Sequence, residues 1–291
     1  MRIKLGNYLE ELKKIKPKRI LLQLPEGLKI RAPEIASEIE KEIKAEVIIS
    51  AEPCYGACDL RLDEARILNC DLILHLAHSD FGVSSSIPVL YIPAEVEISL
   101  TEKLLEEIKK IEENELSIYS SEPFRKVLDM LESYLKKIGK KVVEKRIILG
   151  CSLVEKKGEA NIFAGSGKFH CFALRGKTYF LDLEKEELRD MTNLLKKEEM
   201  KRQARISKFK EAKKIALLLS KKPGQLCKNF LEIKQKLEKE GKDVKILILD
   251  EITDSKLLGY NFDFYLNTAC PRIPDSLSLP VINLKDLFNY A

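Results

Sequence analysis

The sequence predicts an α/β protein of three similar lobes, each a small parallel sheet flanked by helices, in a pseudo-threefold arrangement. Short apolar runs rich in β-branched residues recur along the 291 residues, and segments with apolar residues three and four apart lie between them. This alternation is typical of parallel strands that are buried on both faces. The same unit, strand-helix-strand-strand-strand, occurs three times, which indicates internal duplication.

The three predicted lobes span residues 1–97, 98–190 and 191–291. In lobe order, strands are predicted at 20–24, 47–49, 72–76 and 89–92; at 116–119, 146–149, 160–163 and 179–181; and at 215–219, 245–249, 262–266 and 280–282. Helices are predicted at 35–43, 123–138, 184–206 and 225–240, with Pro123 in a first turn and Gly241 as a terminator.

The composition favours a cytoplasmic, soluble protein. The 51 Lys+Arg exceed the 46 Asp+Glu only slightly, and the charges alternate in Glu/Lys-rich stretches that are typical of solvated helix faces rather than nucleic-acid surfaces. No apolar run approaches the ~18 residues of a membrane span. The amino terminus leads into an amphipathic helix and lacks a signal-peptide pattern, so no membrane association is expected.

Seven cysteines in such a chain favour metal binding or catalysis over disulfides. Cys54 and Cys58 lie in a Pro/Gly-broken loop directly after the strand 47–49. Their spacing copies the first half of the C-x-x-x-C-x-x-C motif of radical S-adenosylmethionine enzymes, but Arg61 occupies the third position, so that motif is absent. A structural zinc site is also less favoured, because the chain has no second close cysteine pair.

Each lobe offers one cysteine in a loop at the carboxyl end of a strand. Cys58 and Cys151 follow the second strands of lobes one and two, and Cys270 follows the third strand of lobe three. If these ends face inward, three thiolates converge at the centre, which is the ligand set for an iron-sulfur cluster with one open iron. Cys70 before a strand and Cys227 on the third-lobe helix are interpreted as ordinary thiols.

Further candidates for a binding cleft follow strands at related positions. Gln23 ends the first strand, His78 follows the third, and the segment Gly165-Ser166-Gly167 allows a ligand to approach the backbone closely. His170 projects from the next loop beside Cys171, which could also line the cleft. His75 lies within a strand and is interpreted as a hydrogen-bonded core residue.

Short motifs in all three lobes resemble the archaeal diphthamide-synthase family, the 2-(3-amino-3-carboxypropyl)histidine synthases. The resemblance covers nearly the whole chain and rests on the order and structural positions of six segments. They are Leu22-Gln23-Leu24-Pro25-Glu26-Gly27-Leu28, Tyr55-Gly56-Ala57-Cys58, His75-Leu76-Ala77-His78-Ser79, Leu149-Gly150-Cys151, Gly167-Lys168-Phe169-His170 and Asn267-Thr268-Ala269-Cys270-Pro271-Arg272.

The resemblance implies a homodimer of three-lobed subunits, each holding a 4Fe-4S cluster on Cys58, Cys151 and Cys270. It further implies cleavage of the Cγ–S bond of S-adenosylmethionine, release of methylthioadenosine, and transfer of the 3-amino-3-carboxypropyl group to a histidine of translation elongation factor 2. An electron donor is required. Gln23, His78, Gly165, Gly167 and His170 are the expected substrate contacts, whereas Cys54 has no counterpart in the family motif.

Two other functions are compatible with parts of the sequence. A quinolinate-synthase-like dehydratase would share the three lobes and the three-cysteine cluster but would use the open iron as a Lewis acid. A non-catalytic RNA-binding protein would suit the net charge of +5, but interleaved basic and aromatic residues are missing. Formation of methylthioadenosine would distinguish the transferase from the dehydratase. A bound iron-sulfur cluster would distinguish either enzyme from an RNA-binding protein.

Overall fold

The computed structural model describes residues 3–5, 7–152 and 154–287. The strands are β1 Ile3–Leu5, β2 Arg19–Gln23, β3 Glu46–Ile49, β4 Leu72–Ala77, β5 Val89–Val96, β6 Glu115–Ser120, β7 Lys141–Ile147, β8 Ala160–Gly165, β9 Thr178–Asp182, β10 Glu187–Asp190, β11 Lys214–Ser220, β12 Asp243–Leu249, β13 Phe264–Asn267 and β14 Val281–Asn283. The helices are α1 Tyr8–Ile15, α2 Ala32–Ile43, α3 Leu62–Ile67, α4 Glu102–Lys109, α5 Val127–Lys137, α6 Thr192–Glu211, α7 Phe230–Lys239, α8 Asp254–Leu257 and α9 Leu284–Leu287.

Three sheets share one strand order. The sheets run β1-β5-β4-β2-β3, β10-β9-β8-β6-β7 and β12-β11-β13-β14. Strands β1 and β10 pair antiparallel with β5 and β9 at the outer edges, and the remaining pairs are parallel. Within every lobe the four parallel strands therefore follow the order second, first, third, fourth. The prediction of three parallel-sheet α/β lobes is confirmed.

One acidic side chain in each lobe ties the first parallel strand to the third. The acid stands directly before the third strand, and its carboxylate accepts hydrogen bonds from two successive backbone N–H groups at the start of the first. The acceptors are Asp71 for Lys18 and Arg19 (2.8 and 3.0 Å), Glu159 for Asn114 and Glu115 (2.8 and 3.2 Å), and Asp263 for Lys213 and Lys214 (2.9 and 2.8 Å). The recurrence of this contact agrees with duplication of one ancestral unit.

The central strands are apolar on both faces because helices cover both. In lobe one, Ile20 and Leu22 of β2 pack with Ile35 and other residues of α2. Leu21, between them, faces the other side and packs with Ala65 of α3. The continuous apolar runs in the sequence are the result of this two-sided burial.

The chain divides into two compact units, residues 1–191 and 192–291. The first unit contains two of the sheets. At its internal junction, Val96 at the end of β5 packs with Leu104 and Ile108 of α4, so the cores of lobes one and two meet there. The predicted boundaries of the individual lobes stay predictions. Within the described ranges no helix is long and apolar enough to cross a membrane.

Several elements differ from the sequence-based expectation. Strand β7 begins at Lys141 and ends at Ile147, whereas the sequence predicted 146–149; its edge position leaves charged residues exposed, which hides the strand in the pattern. Strand β10 occupies residues that the Glu/Lys-rich pattern assigned to a helix, and α6 begins only at Thr192. Helix α7 begins at Phe230, so Cys227 precedes the helix instead of lying on it.

Candidate functional site

The loop after β3 carries two cysteines in different environments. Cys54 is 3% exposed, whereas Cys58 is only half-buried. The loop turns tightly, since the Asp59 N–H donates to the Gly56 carbonyl at 3.0 Å and a Cβ on Gly56 would lie 3.8 Å from Cys58 Sγ. All seven cysteines lie in the described ranges, and none of them forms a disulfide.

Gln23 connects this loop to the neighbouring strands. Its side chain, 1% exposed at the end of β2, donates from Nε2 to the Asp59 carbonyl. Its Oε1 accepts from the Arg61 N–H at 3.3 Å and lies 3.3 Å from His75 Nδ1. An amide oxygen only accepts, so the hydrogen bond places the proton of His75 on Nδ1 and leaves Nε2 with a lone pair. Gln23 therefore orients His75 as well as the Cys58 loop.

His75 and His78 lie side by side at the end of β4. Residues three apart in an extended strand point to opposite faces. Ala77, however, has a left-handed φ of +68°, and the turn brings His78 Nδ1 to 3.0 Å from His75 Nε2. Burial, and then the neighbouring His78, lower the pKa of His75 to about 3, and burial lowers the pKa of His78 to about 4. Both imidazoles are therefore neutral at pH 7.

Cys54 completes a cluster of three possible metal ligands with this histidine pair. Its sulfur lies 3.9 Å from His75 Nε2, and the three ligand atoms lie within 4.8 Å of one another. Burial, and then the charge of Asp59, raise the pKa of the Cys54 thiol to about 12. The sequence interpretation missed this cluster because it treated His75 as a core residue and Cys54 as a neighbour of Cys58. The His-x-x-His spacing at a strand end was the available signal.

The second predicted cluster cysteine, Cys151, lies exposed in the loop after β7. The loop is held by the Leu149 N–H, which donates to Ser152 Oγ at 2.9 Å. The ring of Phe169 covers Gly150, where a Cβ would lie 2.2 Å from Phe169 Cε1. Only glycine leaves room for this contact, which brings the Cys151 loop against the segment that follows β8.

That segment contains the predicted glycines and His170. Gly165 ends β8, and Gly167 has a left-handed φ of +72° that favours glycine. The His170 ring stacks on Phe163 at 5.5 Å and meets the edge of Phe169 at 5.1 Å. Cys171 is fully buried, and burial raises the pKa of its thiol to about 12, which marks it as an inert core residue.

Cys270 lies half-buried in the loop after β13 of the second unit. Asparagines hold this loop: Asn267 Nδ2 donates to the Cys270 carbonyl at 2.8 Å and to Asn283 Oδ1 at 2.7 Å. Asn283 Nδ2 in turn donates to the Pro271 carbonyl at 3.0 Å. Each of the three predicted cluster cysteines thus stands in a loop at the carboxyl end of a parallel strand, where side chains and glycines restrain the backbone.

Two curated relatives match most of the chain. A protein of Pyrococcus horikoshii named 2-(3-amino-3-carboxypropyl)histidine synthase is 33% identical over 286 residues, covering 92% of this chain and 83% of the relative. A protein of Methanocaldococcus jannaschii with the same name is 32% identical over 287 residues, covering 91% of this chain and 80% of the relative.

Solved structures give the same result. The crystal structure of Dph2 from Pyrococcus horikoshii superimposes with a TM-score of 0.88 at 30% identity, over 99% of this chain and 93% of that one. The crystal structure of that protein with a 4Fe-4S cluster also gives 0.88, at 31% identity, over 98% of this chain and 90% of that one. A family profile described as "Putative diphthamide synthesis protein" matches residues 24–277. The resemblance found in the sequence motifs is confirmed, and the chain belongs to the diphthamide synthesis protein family.

Proposed function

We propose that this protein transfers the 3-amino-3-carboxypropyl group of S-adenosylmethionine to a histidine of translation elongation factor 2, the first step of diphthamide biosynthesis. The coproduct is methylthioadenosine. Support comes from relatives named 2-(3-amino-3-carboxypropyl)histidine synthase that align with about nine tenths of the chain. We further propose that the protein acts in the cytoplasm as a homodimer and receives electrons from a separate donor.

Cys58, Cys151 and Cys270 are the proposed ligands of a 4Fe-4S cluster. The observation that supports them best is their shared setting, because each follows a parallel strand and none is fully buried. Cys54, Cys70 and Cys171 are buried, and Cys227 precedes a helix and donates to Asn229. Three thiolates suit an iron-sulfur cluster with one open iron. When bound, the cluster supplies the electron that breaks the Cγ–S bond of S-adenosylmethionine.

The chain's own residues have positioning tasks in this proposal. Gln23 holds the Cys58 loop through the Asp59 carbonyl, and the Gly150–Phe169 contact holds the Cys151 loop. The backbone at Gly165 and Gly167, with Gln23, His78 and His170, is proposed to bind S-adenosylmethionine. A protein site that fixes one carbon of the sulfonium for cleavage selects which S–C bond breaks.

The test is anaerobic reconstitution with iron and sulfide, followed by dithionite, S-adenosylmethionine and the cognate elongation factor 2. Methylthioadenosine and an elongation factor heavier by one aminocarboxypropyl group are expected. Replacing Cys58, Cys151 or Cys270 with Ala should abolish both products and lower the iron content, whereas Cys70→Ala is the matched control and should retain them. A reconstituted protein that binds iron but forms no methylthioadenosine contradicts the transferase proposal and favours a dehydratase.

A further inference from the structure

We propose that Cys54, His75 and His78 form a second metal site, for a single divalent ion of the zinc type, separate from the three proposed cluster cysteines. One thiolate and two imidazoles with a fourth position left open are a ligand set that zinc accepts. This proposal does not depend on the transferase activity. The cluster uses none of these three ligands, although one of them, His78, is also among the proposed S-adenosylmethionine contacts.

The distances suit one ion. A tetrahedral zinc ion with ordinary bond lengths places two nitrogen ligands about 3.3 Å apart, and a nitrogen and a sulfur about 3.6 Å apart. The observed separations are 3.0 Å for His75 Nε2 to His78 Nδ1 and 3.9 Å for Cys54 Sγ to His75 Nε2. All three donor atoms lie within 4.8 Å of one another, so shifts of about 1 Å or less convert the cluster into a ligand set.

The surroundings orient the ligand atoms. His75 donates its Nδ1–H to Gln23 Oε1, which directs the Nε2 lone pair toward Cys54 and His78. Most metal-bound histidines donate a hydrogen bond of this kind from the ring nitrogen that does not bind the metal. The Gly56 N–H donates to the Cys54 sulfur and helps to orient it.

The backbone at Ala77 supports the same conclusion. Its left-handed φ of +68° is costly for a residue with a Cβ, and strained residues of this kind concentrate at functional sites. Without that turn, His78 would project to the opposite side of the sheet from His75. The strained backbone at Ala77 thus places the ring nitrogens of His75 and His78 next to each other, beside the buried sulfur of Cys54.

A divalent ion in this site would take the place of the proton on the Cys54 sulfur. Cys54 is 3% exposed, and burial disfavours its charged thiolate unless a cation lies next to it. With the ion bound, His78 would carry its remaining proton on Nε2. Binding is therefore expected to release about one proton per ion. The ion would also fix the loop of Cys58 to the end of β4.

The experiment uses the full-length chain with Cys58, Cys151 and Cys270 replaced by Ala, so that the cluster ligands cannot contribute. Cobalt(II) is the probe, because a thiolate ligand gives it a characteristic charge-transfer absorption. One cobalt ion per chain is expected, displaced by zinc, with proton release measured by calorimetry in buffers of different ionisation enthalpy. Adding Cys54→Ala should remove the absorption, and His78→Gln should weaken binding strongly. Gln23→Leu should weaken it by about 10- to 100-fold by releasing His75.

The matched control adds Cys70→Ala, which removes another buried thiol and should leave cobalt binding unchanged. Circular dichroism and thermal unfolding establish that each variant is folded. Absence of one-to-one binding in the folded parent, or an absorption that survives Cys54→Ala, overturns the proposal. Since the parent lacks the cluster cysteines, neither result bears on whether the wild-type chain forms methylthioadenosine.

Discussion

The ring of Phe169 occupies the space where a side chain at residue 150 would begin. A Cβ on Gly150 would lie 2.2 Å from Phe169 Cε1, and the adjacent residue is Cys151. Phe169 follows β8 and Cys151 follows β7, so this contact couples the loops at the ends of two strands in one sheet. The position of the proposed cluster ligand thus depends on a glycine that has no chemistry of its own.

Gly150→Ala is expected to lower iron incorporation and methylthioadenosine formation while the protein stays folded. Phe169 is 45% exposed, so its ring can swing outward at a small cost in stability, but the Cys151 loop moves with it. A displacement of about 1 Å can reduce a rate on the order of 100-fold. Iron per chain and product formation are measured after reconstitution. Gly259→Ala is the control, since a Cβ there has no neighbour within 4 Å; equal activity of both variants would contradict the assigned role.

The histidine pair at the end of β4 predicts a loss of stability in mild acid when metal is removed by a chelator. Burial lowers the pKa of His75 to about 3 and that of His78 to about 4, from an ordinary value of 6.5. Above pH 6.5 both imidazoles are mostly unprotonated in the folded and in the unfolded chain. Below it the unfolded chain takes up protons at these rings first, so the free energy of unfolding falls with pH until the folded pKa is reached.

His78→Gln should reduce that acid sensitivity. Protonation of one histidine lowers the free energy of unfolding by at most about 2 kcal/mol between about pH 6.5 and pH 5. Urea unfolding of the wild type and the variant at both pH values measures the difference. A variant that lacks His170, whose ring packs between Phe163 and Phe169, gives the pH dependence of unfolding after loss of a different histidine. An unchanged pH dependence in His78→Gln would show that His78 is not kept neutral by burial.

Asp263→Asn is expected to destabilise the protein at neutral pH and to have no effect in strong acid. Backbone N–H groups of Lys214 and Lys213 lower the pKa of the Asp263 carboxyl below its ordinary 3.8. The carboxylate therefore stabilises the fold above 3.8, and this contribution is lost as the pH falls through the folded pKa. Thermal unfolding at several pH values is the measurement. Glu211→Gln, at the exposed end of α6, is the control; a destabilisation independent of pH would assign the effect to shape instead of charge.

Leu217→Ala in β11 should cost about 2–5 kcal/mol in the free energy of unfolding, because it leaves a cavity in a closed core. Leu217 is fully buried and packs with residues of α6 and α7, among them Phe209 and Leu237. Urea denaturation gives the value. Leu258→Ala is the control, since that side chain is 70% exposed. A loss below about 1 kcal/mol would indicate that the third-lobe core collapses around the cavity.

Strands buried on both faces were predictable, as were the apolar edge strands β3, β12 and β14, whereas the charged or very short edge strands were not. The run around Leu217 is apolar without interruption and lies at the centre of its sheet. Strands β1, β7 and β10 stand at edges; β7 and β10 carry charged residues, and β1 is only three residues long. An edge strand presents part of its surface to water, so its pattern resembles that of a helix face or a loop.

The sequence by itself determined the repeated α/β unit, the membership in the diphthamide synthesis protein family and the placement of Cys58, Cys151 and Cys270 in loops after strands. These features follow from local patterns, because neighbouring residues in the sequence indicate both that a strand is buried and that Gly or Pro ends it. Only the tertiary structure brought Cys54, His75 and His78 together and placed Phe169 on Gly150. Such contacts depend on the left-handed turn at Ala77 and on the order of the strands in each sheet; the His-x-x-His spacing signals the histidine pair but not its approach to Cys54.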